Sequence, residues 1–345
     1  MQNTTHDNHY VAQATLRRWS ADGNRVYAYR VLVSRPEVPE WALRSIRGLA
    51  FQPDLYTSLV GGKEADEFEH WIQREFEDPG LKAIDRLLGD AHMTPTEWRS
   101  IARFVASQDV RTPLNFIEFM RLCGKATPTI LDDCVKDFVQ YRQQSVTQAD
   151  AVEFRPNPHP FAESLRVHVH KEPNSDNSTV RVEVATPRKL WLASMRQILT
   201  GVADVLCEHR WSIAIPHGSE EWPLTDHPVL RLNYYDREQY DFGGGWGNTG
   251  SEVMMPISPK HLLYVQVGKK AQNRFAFSSE HTQIVQRLIA ERSHRWVFAR
   301  HPAAWITKVK PRVVDQAAFD AEQDGWERWR KDQLDAEAQI PAAKS

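Results

Sequence analysis

The separation of two kinds of hydrophobic pattern constrains the fold of this chain more than any other feature. Apolar residues recur with a helical period through most of residues 60–145, whereas β-branched and aromatic runs bounded by turn residues fill residues 160–305. Strands that are gathered in one half of a chain indicate antiparallel pairing rather than a parallel βαβ sheet. The sequence therefore predicts an α+β fold, in which a helical N-terminal half packs on a mixed, largely antiparallel sheet from the C-terminal half.

The domain organisation follows from length and pattern. The chain has 345 residues, 41% hydrophobic and 26% charged, which is ordinary globular usage and excludes a chain that is mostly disordered. We predict a single domain over residues 1–335 and a flexible tail over residues 336–345. Within the domain, the helical period predicts a helix over residues 129–143, and a charged amphipathic pattern predicts another over residues 317–333.

The net charge limits the class of partner, and the cysteine usage indicates the cellular compartment. The formal net charge of −2 does not favour nucleic acid as the main partner, because duplex binding relies on excess positive charge. Three scattered cysteines do not form a disulfide framework, and we find neither a secretory leader nor a run of about 20 apolar residues. We therefore expect a cytoplasmic protein that does not act at a membrane.

Glu75 is the first candidate site residue. On a helical wheel, Glu75 falls in the middle of the apolar face formed by four residues, Phe68, Trp71, Ile72 and Phe76. A carboxylate on a buried face is costly unless it is paired or binds a cation. Glu75 is therefore predicted either to act in a site or to form an ion pair with a core arginine.

A second group of candidates lies at the end of the helix that begins at Thr94. Gln108 and Asp109 continue the apolar stripe of this helix, and Arg111-Thr112-Pro113 then breaks it. Arg111 is suited to clamp a carboxylate or phosphate with two hydrogen bonds. The alternative is an ion pair from Arg111 to Glu75 or Asp109.

Two further motifs carry a titratable residue. Asp226 follows a predicted strand in Thr225-Asp226-His227-Pro228, where it would project a carboxylate into a cleft or cap the strand through a turn. His9 lies in Asn8-His9-Tyr10 and is a candidate metal ligand or base, although a lone histidine more often makes only a structural hydrogen bond.

Taken in order, five motifs resemble a widespread, mainly bacterial family of domains of unknown function, whose members open with (His/Asn)-His-Tyr-Val-Pro-x-Phe-Tyr-Leu-Arg-x-Phe. The resemblance covers residues 8–302, with Ala12 in place of the family's proline and Ala14-Thr15 in place of its aromatic pair. The matching positions are Asn8-His9-Tyr10-Val11 with Leu16-Arg17-Arg18-Trp19, Glu75, Arg111-Thr112-Pro113, Thr225-Asp226-His227-Pro228 and Pro256-Ile257-Ser258-Pro259. The family name implies no reaction.

These candidates combine into one functional hypothesis. We expect four residues to converge as a catalytic site, with Gln108 and Arg17 binding substrate; the four are His9, Glu75, Arg111 and Asp226. His9, Glu75 and Asp226 would hold a divalent cation such as Mg²⁺ or Mn²⁺, and Arg111 would face an anionic substrate. This set would suit metal-assisted hydrolysis of a phosphodiester or another anionic substrate.

The alternative is a non-enzymatic anion-binding, regulatory or interaction protein. In that case the same residues form a closed network, with Glu75 paired to Arg111 and Asp226 paired to His9. Burial of the network without a cavity would distinguish it from an active site.

Overall fold

The protein is described by a computed structural model that covers residues 6–60, 63–125, 165–171, 178–184, 186–270 and 272–339. The helix predicted over residues 129–143 lies outside these ranges.

The helices of the described residues fall mainly before the strand-rich region and after it. Two π turns, Gln73–Glu77 and Ile198–Val202, connect α2 to α3 and α6 to α7. The bounds are α1 Gln13–Arg17, α2 Glu67–Ile72, α3 Asp78–Leu88, α4 Pro95–Val110, α5 over residues 113–125, α6 Pro187–Gln197, α7 Asp204–Cys207, α8 Ser279–Arg292, α9 Ala304–Val309 and α10 Gln316–Ala338.

The described strands pair mostly antiparallel, and among them only β10–β16 and β3–β18 are parallel. Their bounds are β1 Asp7–His9, β2 Arg25–Arg30, β3 Leu32–Val33, β4 Trp41–Ser45, β5 Phe51–Pro53, β6 Ser58–Val60, β7 Lys63–Ala65, β8 Leu165–Lys171, β9 Ser178–Val184, β10 Ser212–Ile215, β11 Leu224–Thr225, β12 Leu230–Tyr234, β13 Tyr240–Asp241, β14 Glu252–Ser258, β15 His261–Gln266, β16 Arg274–Ala276, β17 Trp296–Ala299 and β18 Val313–Val314.

Two larger sheets organise these strands. One has six strands in the order β13-β12-β14-β15-β10-β16, and the other has four in the order β11-β17-β2-β4. The α+β class and the mostly antiparallel pairing are confirmed. The four-stranded sheet corrects the prediction that the C-terminal half supplies the sheet, because β2 and β4 come from the N-terminal half.

The six-stranded sheet is apolar on both faces, and the alternation along β14 shows why. Val253 and Met255 point into the main core with the helices of the N-terminal half, whereas Met254 points into a second core. In that second core Leu288 and Ile289 of α8 pack on the sheet. Helices therefore cover both faces of the six-stranded sheet.

Helices α3 and α4 form an antiparallel pair that positions the candidate site. The predicted start of α4 is confirmed: Thr94 and Glu97 form a reciprocal capping box, with Pro95 in the first turn. The two helices approach so closely that a Cβ on Gly80 would lie 2.3 Å from the Cβ of Phe104. A glycine is required at this crossing because no side chain fits between the backbones.

Helix α10 extends beyond its predicted end at residue 333 and enters the part of the chain expected to be a flexible tail. The side chain of Glu337 is fully buried and receives hydrogen bonds from Arg188 at 3.0 and 2.6 Å. Arg188 also donates to the carbonyl of Asp54 at 2.9 Å, and Glu337 accepts from the amide of Leu59 at 2.7 Å. This buried ion pair fastens α10 to two distant parts of the chain.

The helical run Pro187–Cys207 is long and apolar enough to cross a membrane by length and composition alone. Its side chains Trp191, Met195 and Leu199 belong to the main core of the described residues. One face of this run therefore packs in the core, and 33% of the candidate span is buried.

Candidate functional site

Arg111 is the centre of a buried polar cluster, which we call the Arg111 cluster; its members are Asn8, Tyr56, Glu69, Glu77, Gln108 and Arg111. Arg111 ends α4, is only 2% exposed, and donates from Nε to the carbonyl of Tyr10 at 3.0 Å. With the amide of Gln108 oriented so that its oxygen faces the guanidinium, Gln108 accepts from Nε at 2.9 Å and from Nη2 at 2.6 Å. The predicted association of Gln108 with Arg111 is therefore present.

Glu77, not Glu75, is the carboxylate partner of Arg111. Glu77 forms an ion pair with Nη2 of Arg111, whereas the side chain of Glu75 is 43% exposed and pairs with Arg74 at 2.9 Å. The expected burial of Glu75 is wrong, as is its pairing with Arg111. The reason is the π turn Gln73–Glu77, in which each residue turns through a smaller angle than in an α-helix, so Glu75 moves off the apolar face.

Asn8, rather than His9, is the inward-facing residue of the N-terminal motif. Successive residues of β1 point to opposite sides, and Asn8 is fully buried. Its Nδ2 donates to Glu69, and its Oδ1 accepts from the amide of Tyr56 at 2.8 Å. The alternation of a strand is the signal that could have selected Asn8 from the sequence.

Glu69 has the most chemically useful carboxyl group of the Arg111 cluster. Burial raises its pKa from 4.5 to about 7, while Asn8 and Arg111 act in the opposite direction. A carboxyl with a pKa near neutrality can both give and take a proton at physiological pH. On the helical wheel that selected Glu75, Glu69 and Glu77 fall away from the centre of the apolar face, so sequence reasoning missed both.

Tyr56 is a buried member of the cluster that binds the backbone of Arg111. Its hydroxyl donates to the carbonyl of Arg111 at 2.5 Å, and burial keeps its phenol protonated by raising its pKa far above 10. Arg111 is thereby fixed through its backbone as well as through its guanidinium.

Asp226 has a structural role that the sequence offered only as an alternative. Its side chain is buried and accepts hydrogen bonds from three consecutive backbone amides, those of residues 294–296, at 2.6–3.0 Å. Burial raises its pKa, and the nearby His294 acts against that rise. The carboxylate thus fixes the start of β17 from the end of β11. Its predicted pairing with His9 is not among these contacts.

His9 and Arg17 lie on the outer side of the N-terminal segment. The ring of His9 donates from Nδ1 to the carbonyl of Asp7 at 3.2 Å and accepts from Gln13 at 3.2 Å. Gln13 in turn accepts from the exposed Arg17 at 3.4 Å. Burial lowers the pKa of His9, to which the charge of Arg111 contributes in the same direction. The structure therefore brings His9 near Arg111 but directs its hydrogen bonds elsewhere.

The three predicted metal ligands are not assembled as a set. Within the residues that the structure describes, which include His9, Glu75 and Asp226, no three His, Cys, Asp or Glu side chains are grouped so that they could hold a metal ion. Tyr10 lies between two of the predicted regions. Its carbonyl accepts a hydrogen bond from Arg111, and burial together with the charge of Asp226 raises the pKa of its hydroxyl. Glu75 lies apart from both.

A second buried polar group lies beside the Arg111 cluster. Asp109 is buried, accepts from the indole of Trp246 at 2.8 Å and pairs with Arg231 at 3.2 Å. His227 contacts the hydroxyl of Thr112 at 2.6 Å, and burial lowers its pKa well below 6.5. The sequence offered Asp109 as an alternative partner of Arg111. In the structure Asp109 pairs with Arg231 instead.

Three clefts stand out on the described part of the chain, and none of them is lined by His9, Glu75, Arg111 or Asp226. One has a volume of about 510 Å³ and combines aromatic and cationic side chains; we call it the Trp98 cleft. Its lining residues are His92, Met93, Pro95, Trp98, Cys207, His209, Arg210, Trp211 and Asn273.

Comparison with known proteins gives one match. The family model described as "Protein of unknown function (DUF4238)" matches residues 7–303. No curated protein and no solved structure matches the chain.

Proposed function

Since the chain belongs to the DUF4238 family of proteins of unknown function, we propose a function from its own residues: it is a non-enzymatic anion-binding protein, and its Arg111 cluster is a structural network. The proposal places the protein in the cytoplasm, as its cysteine usage suggested.

The observation that carries the proposal is the enclosure of Arg111. This residue was expected to face an anionic substrate, but it is 2% exposed and its guanidinium contacts Tyr10, Gln108 and Glu77. A substrate would have to displace Glu77 to reach it. Loss of the carboxylate partner of a buried arginine strongly destabilises the folded protein, so the network favours a structural role.

An accessible cationic group lies in the Trp98 cleft instead. Arg210 is exposed, and among the described residues that line this cleft none is Asp or Glu. A concave surface with positive groups and no opposing carboxylate suits an anion.

Thermal unfolding and turnover assays together test this function. We expect the melting temperature to rise with millimolar pyrophosphate and to be the same in Mg²⁺, Mn²⁺ and EDTA. We expect no hydrolysis of bis(4-nitrophenyl) phosphate above the buffer rate with either metal. Metal-dependent hydrolysis that is lost in Glu69→Gln would contradict the proposal.

Metal-assisted hydrolysis is the second candidate, and Glu69 is the observation that favours it. Its pKa of about 7 is suited to general acid–base catalysis, and burial is the cause of that value. Mg²⁺ or Mn²⁺ bound by Glu69 would need water or substrate oxygens to complete its coordination, because no three-residue ligand group occurs in the described ranges.

The pH profile of any hydrolysis distinguishes this second candidate from contamination. If Glu69 is the catalytic base, the rate rises with pH through about 7 and Glu69→Gln abolishes it. Glu67 is an exposed residue of the same helix, and Glu67→Gln serves as the matched control because it should leave the rate unchanged.

A further inference from the structure

We infer that the Trp98 cleft is a binding site for a nucleoside monophosphate, with the base held against the aromatic floor and the phosphate held at Arg210. This inference rests on the proposed anion-binding function and adds the chemical class of the ligand and the residues that recognise each part of it.

The floor of the cleft is aromatic and firmly held. Trp98 and Met93 are half-buried and pack on the main core, and Trp211 is a buried member of that core. The indole of Trp211 donates to the carbonyl of Leu206 at 2.9 Å, which fixes its orientation. The half-buried indole of Trp98 offers a planar surface in the cleft on which a nucleobase stacks irrespective of its identity.

The rim of the cleft supplies the positive charge. The guanidinium of Arg210 donates from Nε at 3.2 Å and from Nη2 at 2.7 Å to Asn273, and these are the hydrogen bonds of Arg210 found in the described part of the chain. Asn273 is a neutral amide, so it orients Arg210 without neutralising it. An oriented guanidinium is the group best matched to a phosphate.

Two carboxylates that are close in sequence to lining residues of the cleft are paired with other arginines. Asp90 pairs with Arg274 at 2.7 Å, and Glu97 is held by Arg86 and by the capping box at the start of α4. His92 and His209 complete the lining, and His209 donates from Nε2 to the carbonyl of Trp246 at 2.6 Å. Among the lining residues that the structure describes, Arg210 is the one arginine or lysine, and none is Asp or Glu.

The size of the cleft agrees with this ligand class. A volume of about 510 Å³ lies within the usual range of about 300–1,000 Å³ for small-molecule sites. An inorganic anion alone would leave the aromatic floor unused, and an uncharged aromatic ring would leave Arg210 unused.

Isothermal titration of the full chain with AMP at pH 7.0 and constant ionic strength tests the inference. GMP, CMP and UMP probe base tolerance, while adenosine and inorganic phosphate represent the two halves of the ligand. Arg210→Ala and Trp98→Ala are the test variants. Arg237→Ala is the matched control, because Arg237 is exposed and pairs with Glu280 outside the cleft.

The inference expects AMP to bind at least about tenfold more tightly than adenosine or phosphate, since one tenfold step is about 1.4 kcal/mol. Arg210→Ala should weaken AMP at least about tenfold, Trp98→Ala should do the same, and Arg237→Ala should have no effect. The exposed position of Arg210 means that its variant reports binding even if Trp98→Ala does not fold.

Other results overturn the inference in distinguishable ways. AMP binding that is unchanged in both test variants would remove the Trp98 cleft as the site but keep an anion-binding protein. Binding of pyrophosphate without any nucleotide would overturn the ligand class alone. Absence of all anion binding, together with metal-dependent hydrolysis, would overturn the proposed function as well.

Discussion

Replacing Glu77 by glutamine removes the charge that balances Arg111, and we expect this change to lower the free energy of unfolding by about 2–3 kcal/mol. Removal of one partner of a fully buried ion pair costs about 3–5 kcal/mol. The side chain of Arg111 is 3% exposed but that of Glu77 is 17% exposed, and glutamine keeps an oxygen that can accept from Arg111. Both features place the expected loss below that range.

Equilibrium unfolding in urea, followed by tryptophan fluorescence, measures this loss. The urea midpoint should fall while the slope with denaturant stays constant, because the folded and unfolded surfaces are unchanged. For 345 residues the entropy of unfolding is about 0.7 kcal/mol/K, from about 2.1 cal/mol/K per residue, so the melting temperature should fall by about 3–4 °C.

Glu75→Gln is the control, since it makes the same chemical change two residues away. Glu75 pairs with an Arg74 side chain that is 75% exposed, and exposed ion pairs contribute about 0–1 kcal/mol. We expect its free energy of unfolding to stay within about 0.5 kcal/mol of the unaltered protein. A larger loss in Glu75→Gln than in Glu77→Gln would refute the assignment of the π turn and of the Arg111 partner.

Three further predictions follow from buried groups. In the folded protein Glu69 keeps its proton up to about pH 7, so Glu69→Gln should gain stability relative to the unaltered protein as pH rises from about 4.5 to 7, by up to about 3 kcal/mol in urea unfolding. Gly80→Ala should lower stability by about 1–3 kcal/mol in the same assay, because its Cβ would collide with Phe104. Glu337→Gln should lower stability by about 3–5 kcal/mol in thermal unfolding, since Arg188 is fully buried.

Each of these changes has a matched control. For Glu69→Gln, the exposed Glu67→Gln should show the pH profile of the unaltered protein; a parallel profile in both variants would exclude the raised pKa. For Gly80→Ala, Gly325→Ala has open space around its Cβ and should add up to about 1 kcal/mol by helix propensity. For Glu337→Gln, the exposed Glu327→Gln should be neutral, and equal melting temperatures in the two variants would rule out the buried pair.

Local signals in the sequence predicted much of the fold because they act over a few residues. Thr94, Pro95 and Glu97 satisfy the first backbone amides of a helix by themselves, and the structure shows that capping box. The antiparallel pairing of β8 and β9 likewise agrees with the β-branched and aromatic runs between residues 160 and 305. In both cases the residues that make the signal also make the structure.

The candidate site was harder to predict because its geometry depends on one irregular turn and on distant contacts. The helical wheel correctly predicted that Phe68, Ile72 and Phe76 are buried, but it assumed the same α-helical rotation at every residue. The π turn broke that assumption and turned Glu77 towards Arg111. The composition of residues 73–77 does not predict a π turn, so the hydrophobic pattern could not identify Glu77 as the partner of Arg111.

The contact between Arg188 and Glu337 also has a consequence for the order of events during synthesis. The two residues are 149 positions apart, so at about 5–20 residues per second the ribosome adds Glu337 about 7–30 s after Arg188. Before α10 has been synthesised, Arg188 lacks the carboxylate partner that neutralises it when it is buried. Helix α6, which carries Arg188, therefore cannot pack against Asp54. We expect folding around Arg188 to wait until Glu337 has been added, so that an open intermediate persists for a time set by the rate of elongation.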